Sequence, residues 1–389
     1  MQKKYLSITV LYHKMANNQI RNLLSHIQKR FFISSVTLSS TPLSATSSSS
    51  FTVHYLLKSC GLPLESAISV SEKLQLDAKN QQRTQSVVDL LKSHNFSDTQ
   101  LVKLIEKRPA VLQCKAQENI QPKFEYLIKQ GFKGKLLPEL ILSNPVILRR
   151  ALDSHIKPSF EFLKSVLDSN DKIVAAIRRS SWLLTFDLKG TMQPNVEFLL
   201  KEGVPAYGIE KMILLQPRAI MQKHDRMVYA VNAVKNLGLE PKSRMFIHAV
   251  RVIISMSELT WKKKFEMMKS MGWNEEEILS AFKRDPLCLA CSEEKIKNAM
   301  DFYLNTMKLK PHVIIAYPKF LMYAIDTRLR PRYNVLKVLE SKKLIEGDKK
   351  IEWLLTINEK TFLQQYVIKY VDKVPGITEM YLGTRKLKR

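Results

Sequence analysis

Glycine and cysteine are scarce in this chain of 389 residues, with 11 of the first and 4 of the second. Four thiols (Cys60, Cys114, Cys288, Cys291) are too few to cross-link a chain of this length, so the fold must rest on an apolar core, and the usage fits a reducing compartment. No run of 18 consecutive apolar residues occurs, which argues against a spanning helix and against the membrane as a partner. The sequence has no Walker loop, no Gly-rich dinucleotide turn, no Gly-x-Ser-x-Gly elbow and no HxH or HExxH spacing among its 8 histidines. Cys288 and Cys291 have CxxC spacing, but neither a second such pair nor a His pair stands nearby to complete a zinc site. The expectation is a protein that is not an enzyme, with no catalytic residues, no metal and no cofactor.

Acidic residues are missing altogether from Met1 to Leu64, whereas Lys3, Lys4, Lys14, Arg21, Lys29 and Arg30 fall in the same stretch. An acid-poor, basic, Ser-rich start is the composition of an organellar transit peptide. Gln19 to Ile33 can form a basic amphipathic helix, Arg30-Phe31-Phe32-Ile33-Ser34-Ser35 resembles a mitochondrial processing site, and Ser44 to Ser50 reads as a disordered spacer. Residues 1–50 are therefore assigned to targeting. The mitochondrion is the first choice and the chloroplast the alternative, because both kinds of presequence share this composition. The whole chain carries 62 Lys and Arg against 36 Asp and Glu, a net +26; without the first fifty residues it is still +20. The mature body thus has its own attraction for polyanions.

What fills the rest is a period of 32 to 36 residues. A first anchor recurs as Pro followed by apolar residues: Pro109-Ala110-Val111-Leu112, Pro145-Val146-Ile147-Leu148, Pro217-Arg218-Ala219-Ile220, Pro286-Leu287-Cys288-Leu289 and Pro318-Lys319-Phe320-Leu321, with Ser181 and Arg251 at the same phase. A second anchor, Pro122, Pro158, Pro194 and Pro331, opens amphipathic stretches, with Tyr229, Lys263 and Asn298 in its place elsewhere. Gly61, Asn95, Gly131, Gly203, Gly238 and Gly272 close them, with Leu167 as the exception. Pro suits the first position of a helix, and Gly or Asn the left-handed residue just past its end. Helix A then runs from the second Pro to the Gly, helix B follows (Leu136 to Ser143, Tyr207 to Leu215), and the next Pro stops it. Only a short helical turn fits between the two anchors.

One such repeat cannot cover its own apolar stripe, so neighbours must stack, and the fold class is an all-α superhelical solenoid of about 8 to 9 helical repeats. The array is assigned to residues 51–375, with Lys350 to Tyr370 as a capping helix and a basic C-terminal tail at 376–389. At the apolar phase of Val111 and Ile147, Cys288 reads as a buried core residue. Glu275, Glu276 and Glu277 after Asn274 read as helix capping.

The doubled Pro anchors, Tyr55-Leu56-Leu57-Lys58-Ser59-Cys60-Gly61, Leu90-Leu91-Lys92-Ser93-His94-Asn95-Phe96 and Phe362-Leu363-Gln364-Gln365-Tyr366-Val367-Ile368-Lys369-Tyr370 resemble the plant branch of the mitochondrial transcription termination factor (mTERF) family over residues 51 to 380. The resemblance implies a superhelix of left hand in preference to right, with a basic concave groove, sited in mitochondria or plastids. It also implies binding of double-stranded DNA, or sometimes RNA, in transcription termination, initiation or intron splicing. Double-stranded DNA is favoured on that ground, with RNA processing or a protein-interaction scaffold as alternatives and organellar transcription or splicing proteins as possible partners.

Same-phase residues of stacked repeats form ridges. Lys123, Lys157, Lys262, Lys263, Lys297, Arg330 and Arg332 flank the second anchor; Lys107, Arg179 and Arg284 lie two residues before the first. Arg108, Arg178, Lys283, Arg149, Arg150, Arg218 and Lys223 thicken the second row. Such rows can follow a phosphate backbone, and planar guanidinium forks suit phosphate best. Phe186, Tyr207 and Tyr323 could stack on an extruded base, but aromatic residues at helical spacing usually belong to the core, which is the expectation for all three.

Overall fold

The computed structural model describes residues 45–346 and 351–386. Residues 1–44 of the targeting segment and residues 387–389 of the basic tail lie outside the described residues. The described residues are helical with no strand among them, and they form two compact bodies, one ending at Ile254 and one beginning at Ser255.

Local chemistry explains the recurring breaks. The residue before each first anchor is extended (Arg108 φ −149°, Asn144 φ −147°, Gln216 φ −154°, Asp285 φ −148°), because the pyrrolidine ring that follows disfavours the helical region there. A short turn then begins on the Pro, as in Pro109–Gln113, Pro145–Arg149, Pro286–Ala290 and Pro318–Met322. Its third and fourth residues turn inward: Val111 and Leu112, Ile147 and Leu148, Cys288 and Leu289, Phe320 and Leu321 are all buried. Two repeats lack the Pro and differ: at Ser181 the turn Ser181–Leu184 still forms behind an extended Ser180 (φ −150°), whereas at Arg251 the helix Phe246–Ser255 runs straight through.

The second Pro behaves differently from the expectation that it opens helix A. Ala116–Ile120, Leu152–Ile156 and Ile325–Leu329 each form a π turn immediately before the α-helices Gln121–Lys129, Lys157–Val166 and Arg330–Ser341, so Pro122, Pro158 and Pro331 follow a helical turn. The widened turn makes i→i+5 bonds (Ile120 N–H to Lys115 O, 3.3 Å; Ile156 N–H to Ala151 O, 3.2 Å) and accommodates the ring without ending the helix. Pro194 lies inside Leu188–Lys201.

Helix ends follow the sequence reading. Gly61, Asn95, Gly131, Gly203, Gly238 and Gly272 all have positive φ, and the next amide bonds back across the last turn, as with Phe132 N–H to Leu127 O at 3.0 Å. In the last two repeats Lys308 and Lys343 hold that conformation, where no Gly or Asn marked it.

Helices pack on their counterparts one repeat away in four places: Asp98–Lys107 on Leu136–Ser143, Asn170–Arg179 on Ala206–Leu215, Lys157–Val166 on Leu188–Lys201, and in the second body Glu275–Arg284 on Pro311–Ala316. That is the stacking of a helical solenoid. Ile377–Lys386, expected as part of a tail, is helical and packs on Arg330–Ser341 with Tyr381 fully buried. The capping segment is broken into short helical pieces, Ile351–Thr356, Glu359–Phe362, Leu363–Val367 and Ile368–Tyr370. Asn274 caps Glu275–Arg284 through a box with Glu277, and Cys288 is buried, both as the sequence suggests.

Candidate nucleic-acid interface

The two cationic rows have different fates. At the position just after the second anchor, the helix turns its side chain inward toward the next repeat's turn. Lys123 Nζ there donates to Leu148 O (2.6 Å), Asn195 Nδ2 to Ile220 O (2.8 Å), Lys264 Nζ to Leu289 O (2.7 Å) and to Cys291 O, and Arg332 Nη1 to Leu355 O (2.9 Å) and Ile357 O (2.6 Å). Each staple joins one repeat to the last carbonyls of the following turn, groups that the turn itself leaves unsatisfied. Lys123 is 3% exposed and Arg332 0%, so both are corrected: their charge is spent on carbonyls inside the protein and cannot reach a phosphate. Burial pushes the Lys123 and Lys264 amines below the usual lysine range. Lys157 and Arg330 are half-buried and paired with Asp153 (2.6 Å) and Asp326 (3.5 Å). Lys262, Lys263 and Lys297 are exposed.

The same helices carry Glu125, Glu161 and Glu197 at one common phase, all exposed. Glu161 and Glu197 border an open groove of about 420 Å³ with Phe162, Val196 and Leu200 in its lining. A carboxylate row weakens the attraction of this face for a polyanion, with Lys189 the cation in the groove's lining.

The row beside the first anchor stays open. Lys107 Nζ donates to Leu142 O (3.0 Å), Arg179 Nε to Leu215 O (3.1 Å) and Arg284 Nη1 to Ala316 O (3.2 Å), each reaching the helix C-terminus of the next repeat. Cations favour that end of the helix dipole, and the contact fixes each side chain while leaving it exposed. Arg149, Arg178, Arg218, Lys223 and Lys283 are exposed as well. Only Arg178 among these five meets a described carboxylate, Glu139 at 4.0 Å. Arg108 and Arg150 are half-buried, and their Nε atoms are buried without a hydrogen-bond partner.

Two neighbours of this row escaped the sequence reading. Arg251 is 9% exposed; its Nε donates to Gln216 Oε1 (3.1 Å) and its Nη1 to His248 Nδ1 (3.1 Å). Burial first, then the charges of Arg251 and Lys211, lower the His248 pKa to about 4. Both folded and unfolded chains hold this imidazole neutral above its ordinary value of 6.5. Between there and about 4 the unfolded chain takes up the proton first, so stability drops as the pH is lowered, by up to about 1.4 kcal/mol per unit over that window. His248→Gln is expected to flatten this component, measured by denaturant unfolding at stepped pH; an unchanged slope refutes it. Phe186 and Tyr207, expected in the core, are instead 42% and 57% exposed, and Tyr323 lies under the Arg328 guanidinium at 5.0 Å.

No group of three or more His, Cys, Asp or Glu side chains that could hold a metal occurs among the described residues, and none of their helices is long and apolar enough to cross a membrane. A family model described as mTERF matches residues 56–363. The chain is 20% identical over 171 residues to the chloroplastic transcription termination factor MTERF8 of Arabidopsis thaliana, covering 44% of this chain and 33% of that protein. It is 20% identical over 195 residues to the mitochondrial transcription termination factor MTERF15 of the same plant, covering 50% of this chain and 42% of that protein. The matched part spans less than half the length of either relative.

Proposed function

The chain belongs to the mTERF family, and from that we propose that it is an organellar nucleic-acid-binding regulator of transcription, termination included, that holds double-stranded DNA along the arginine row beside the first anchors. The observation that carries this reading is the row itself: exposed guanidinium and ammonium groups recur within six residues of the first anchors, with Lys107, Arg179 and Arg284 at one shared phase, largely without acidic partners, on a chain of net +26. Arg149, Arg178, Arg179, Arg218 and Lys223 serve the first body and Lys283 and Arg284 the second. Phosphate contacts position a nucleic acid without reading its sequence, so this row supplies affinity. The relatives' names, one chloroplastic and one mitochondrial, support an organelle; the mitochondrion is the first choice on the Arg30 processing-site pattern.

Equilibrium binding of duplex DNA over a salt series tests it. Log affinity is expected to fall linearly with log salt, with a loss on the order of 10³-fold between about 50 and 200 mM. A flat response, or tight binding to an acidic protein in place of nucleic acid, defeats the reading. Crosslinking in cells followed by sequencing of attached DNA and RNA identifies polymer and locus together.

A further inference from the structure

We propose that Trp182 and Phe186 form a stacking subsite for unpaired nucleobases, set within the arginine row of the first body. The inference rests on the nucleic-acid reading above and adds to it a place for a single-stranded stretch.

The segment from Arg178 to Phe186 sorts its side chains cleanly. Leu183, Leu184 and Thr185 point into the core, whereas Trp182 and Phe186, one turn apart and linked by Phe186 N–H to Trp182 O (2.9 Å), are 46% and 42% exposed. Neither ring pairs with another aromatic ring or with a cation among the described residues. The fold does not call for them: the same two positions are Val146 and Arg150 one repeat earlier and Arg218 and Gln222 one repeat later, and the turn forms in each case. Two large rings therefore stand in water on a ridge whose neighbouring repeats place arginines there.

A duplex offers phosphates to such a ridge but hides its base faces in the stack. An unpaired strand offers both, and every base has a π-face. Exposed Arg178 and Arg179 directly precede the rings, and the Arg179 contact to Leu215 O holds one guanidinium in place beside them. Cations interleaved with exposed aromatics fit a backbone with splayed bases, a chemistry that single-stranded RNA and DNA share.

The test uses the full chain with short oligo(U), short oligo(dT) and a blunt duplex. Trp182→Ala and Phe186→Ala are each expected to weaken single-strand binding by about 5- to 100-fold while duplex affinity changes less than about twofold, and Trp182→Phe is expected to restore most of the loss. Tryptophan emission is expected to quench on adding single strand, and the quench to vanish in Trp182→Phe. The oligonucleotide whose binding falls names the ligand, and a fall with both assigns the subsite to single strands of either sugar. Unchanged single-strand affinity in the alanine variants with duplex binding intact overturns the subsite and leaves the nucleic-acid reading standing. Equal losses on all three probes, with a lowered melting temperature, reduce the rings to a structural role and overturn it too. Failure of the wild-type chain to bind any probe removes both.

Discussion

Replacing Arg332 with Met is expected to lower the unfolding free energy of the body that begins at Ser255 by about 2–3 kcal/mol, the cost of leaving a buried carbonyl without its charged donor. The guanidinium is fully buried, donates to Leu355 O and Ile357 O, pairs with Glu359 at 2.8 Å and lies 4.7 Å from the Phe362 ring centre. Met fills most of the volume but offers no donor, so the buried Leu355 O loses its partner while Ile357 O keeps Arg328 Nη2 at 3.0 Å. Lys297→Met changes an exposed side chain of similar length and is expected to stay within about 0.5 kcal/mol. Urea unfolding followed by far-UV dichroism measures both. Equal, small effects would mean that the staple contributes nothing to the stacking of repeats.

The second large effect concerns affinity. A triple variant, Arg149→Gln, Arg178→Gln and Arg218→Gln, is expected to bind duplex DNA about 100-fold or more weakly at low salt, from roughly 1 kcal/mol or more for each lost charged contact. The slope of log affinity against log salt should shrink by about 2–3, close to 0.9 per phosphate released. All three side chains are exposed, and folding should survive their loss. Glu125→Gln, Glu161→Gln and Glu197→Gln together form the comparison, since they change three charges on the other ridge of the same body. Their expected effect on affinity is nil or a small gain. A gain in the glutamate variant as large as the loss in the arginine variant would show that net charge, and not the row beside the first anchors, governs binding.

The staples also show where sequence reasoning ran short. Lys123 and Arg332 were read as surface cations because Lys and Arg are rarely buried. Their phase carried the missing signal: the same position is Asn195 and Lys264 in other repeats, polar side chains next to apolar neighbours that are buried, such as Phe124 and Phe265. A recurring polar residue at an inward phase points to a carbonyl that needs a donor, and the turn at the first anchor supplies one. The second Pro was misread for a related reason. Pro is favoured at a helix start, but a π turn widens the helix enough to admit it one turn later, and no composition rule announces that.

By itself the sequence determined the all-α repeat, its period, and most of its turns and C-terminal helix ends, since these depend on contacts within a few residues: a ring that removes an amide, an extended residue ahead of it, a left-handed glycine behind. Which cations are available to a ligand was decided only by tertiary structure. Lys123 and Lys107 are alike in type, and both donate to a carbonyl of the next repeat, Leu148 for one and Leu142 for the other. One is enclosed by that repeat and the other left at its edge in water, because exposure belongs to the stacking of neighbours some 25 to 36 residues away and not to the residue.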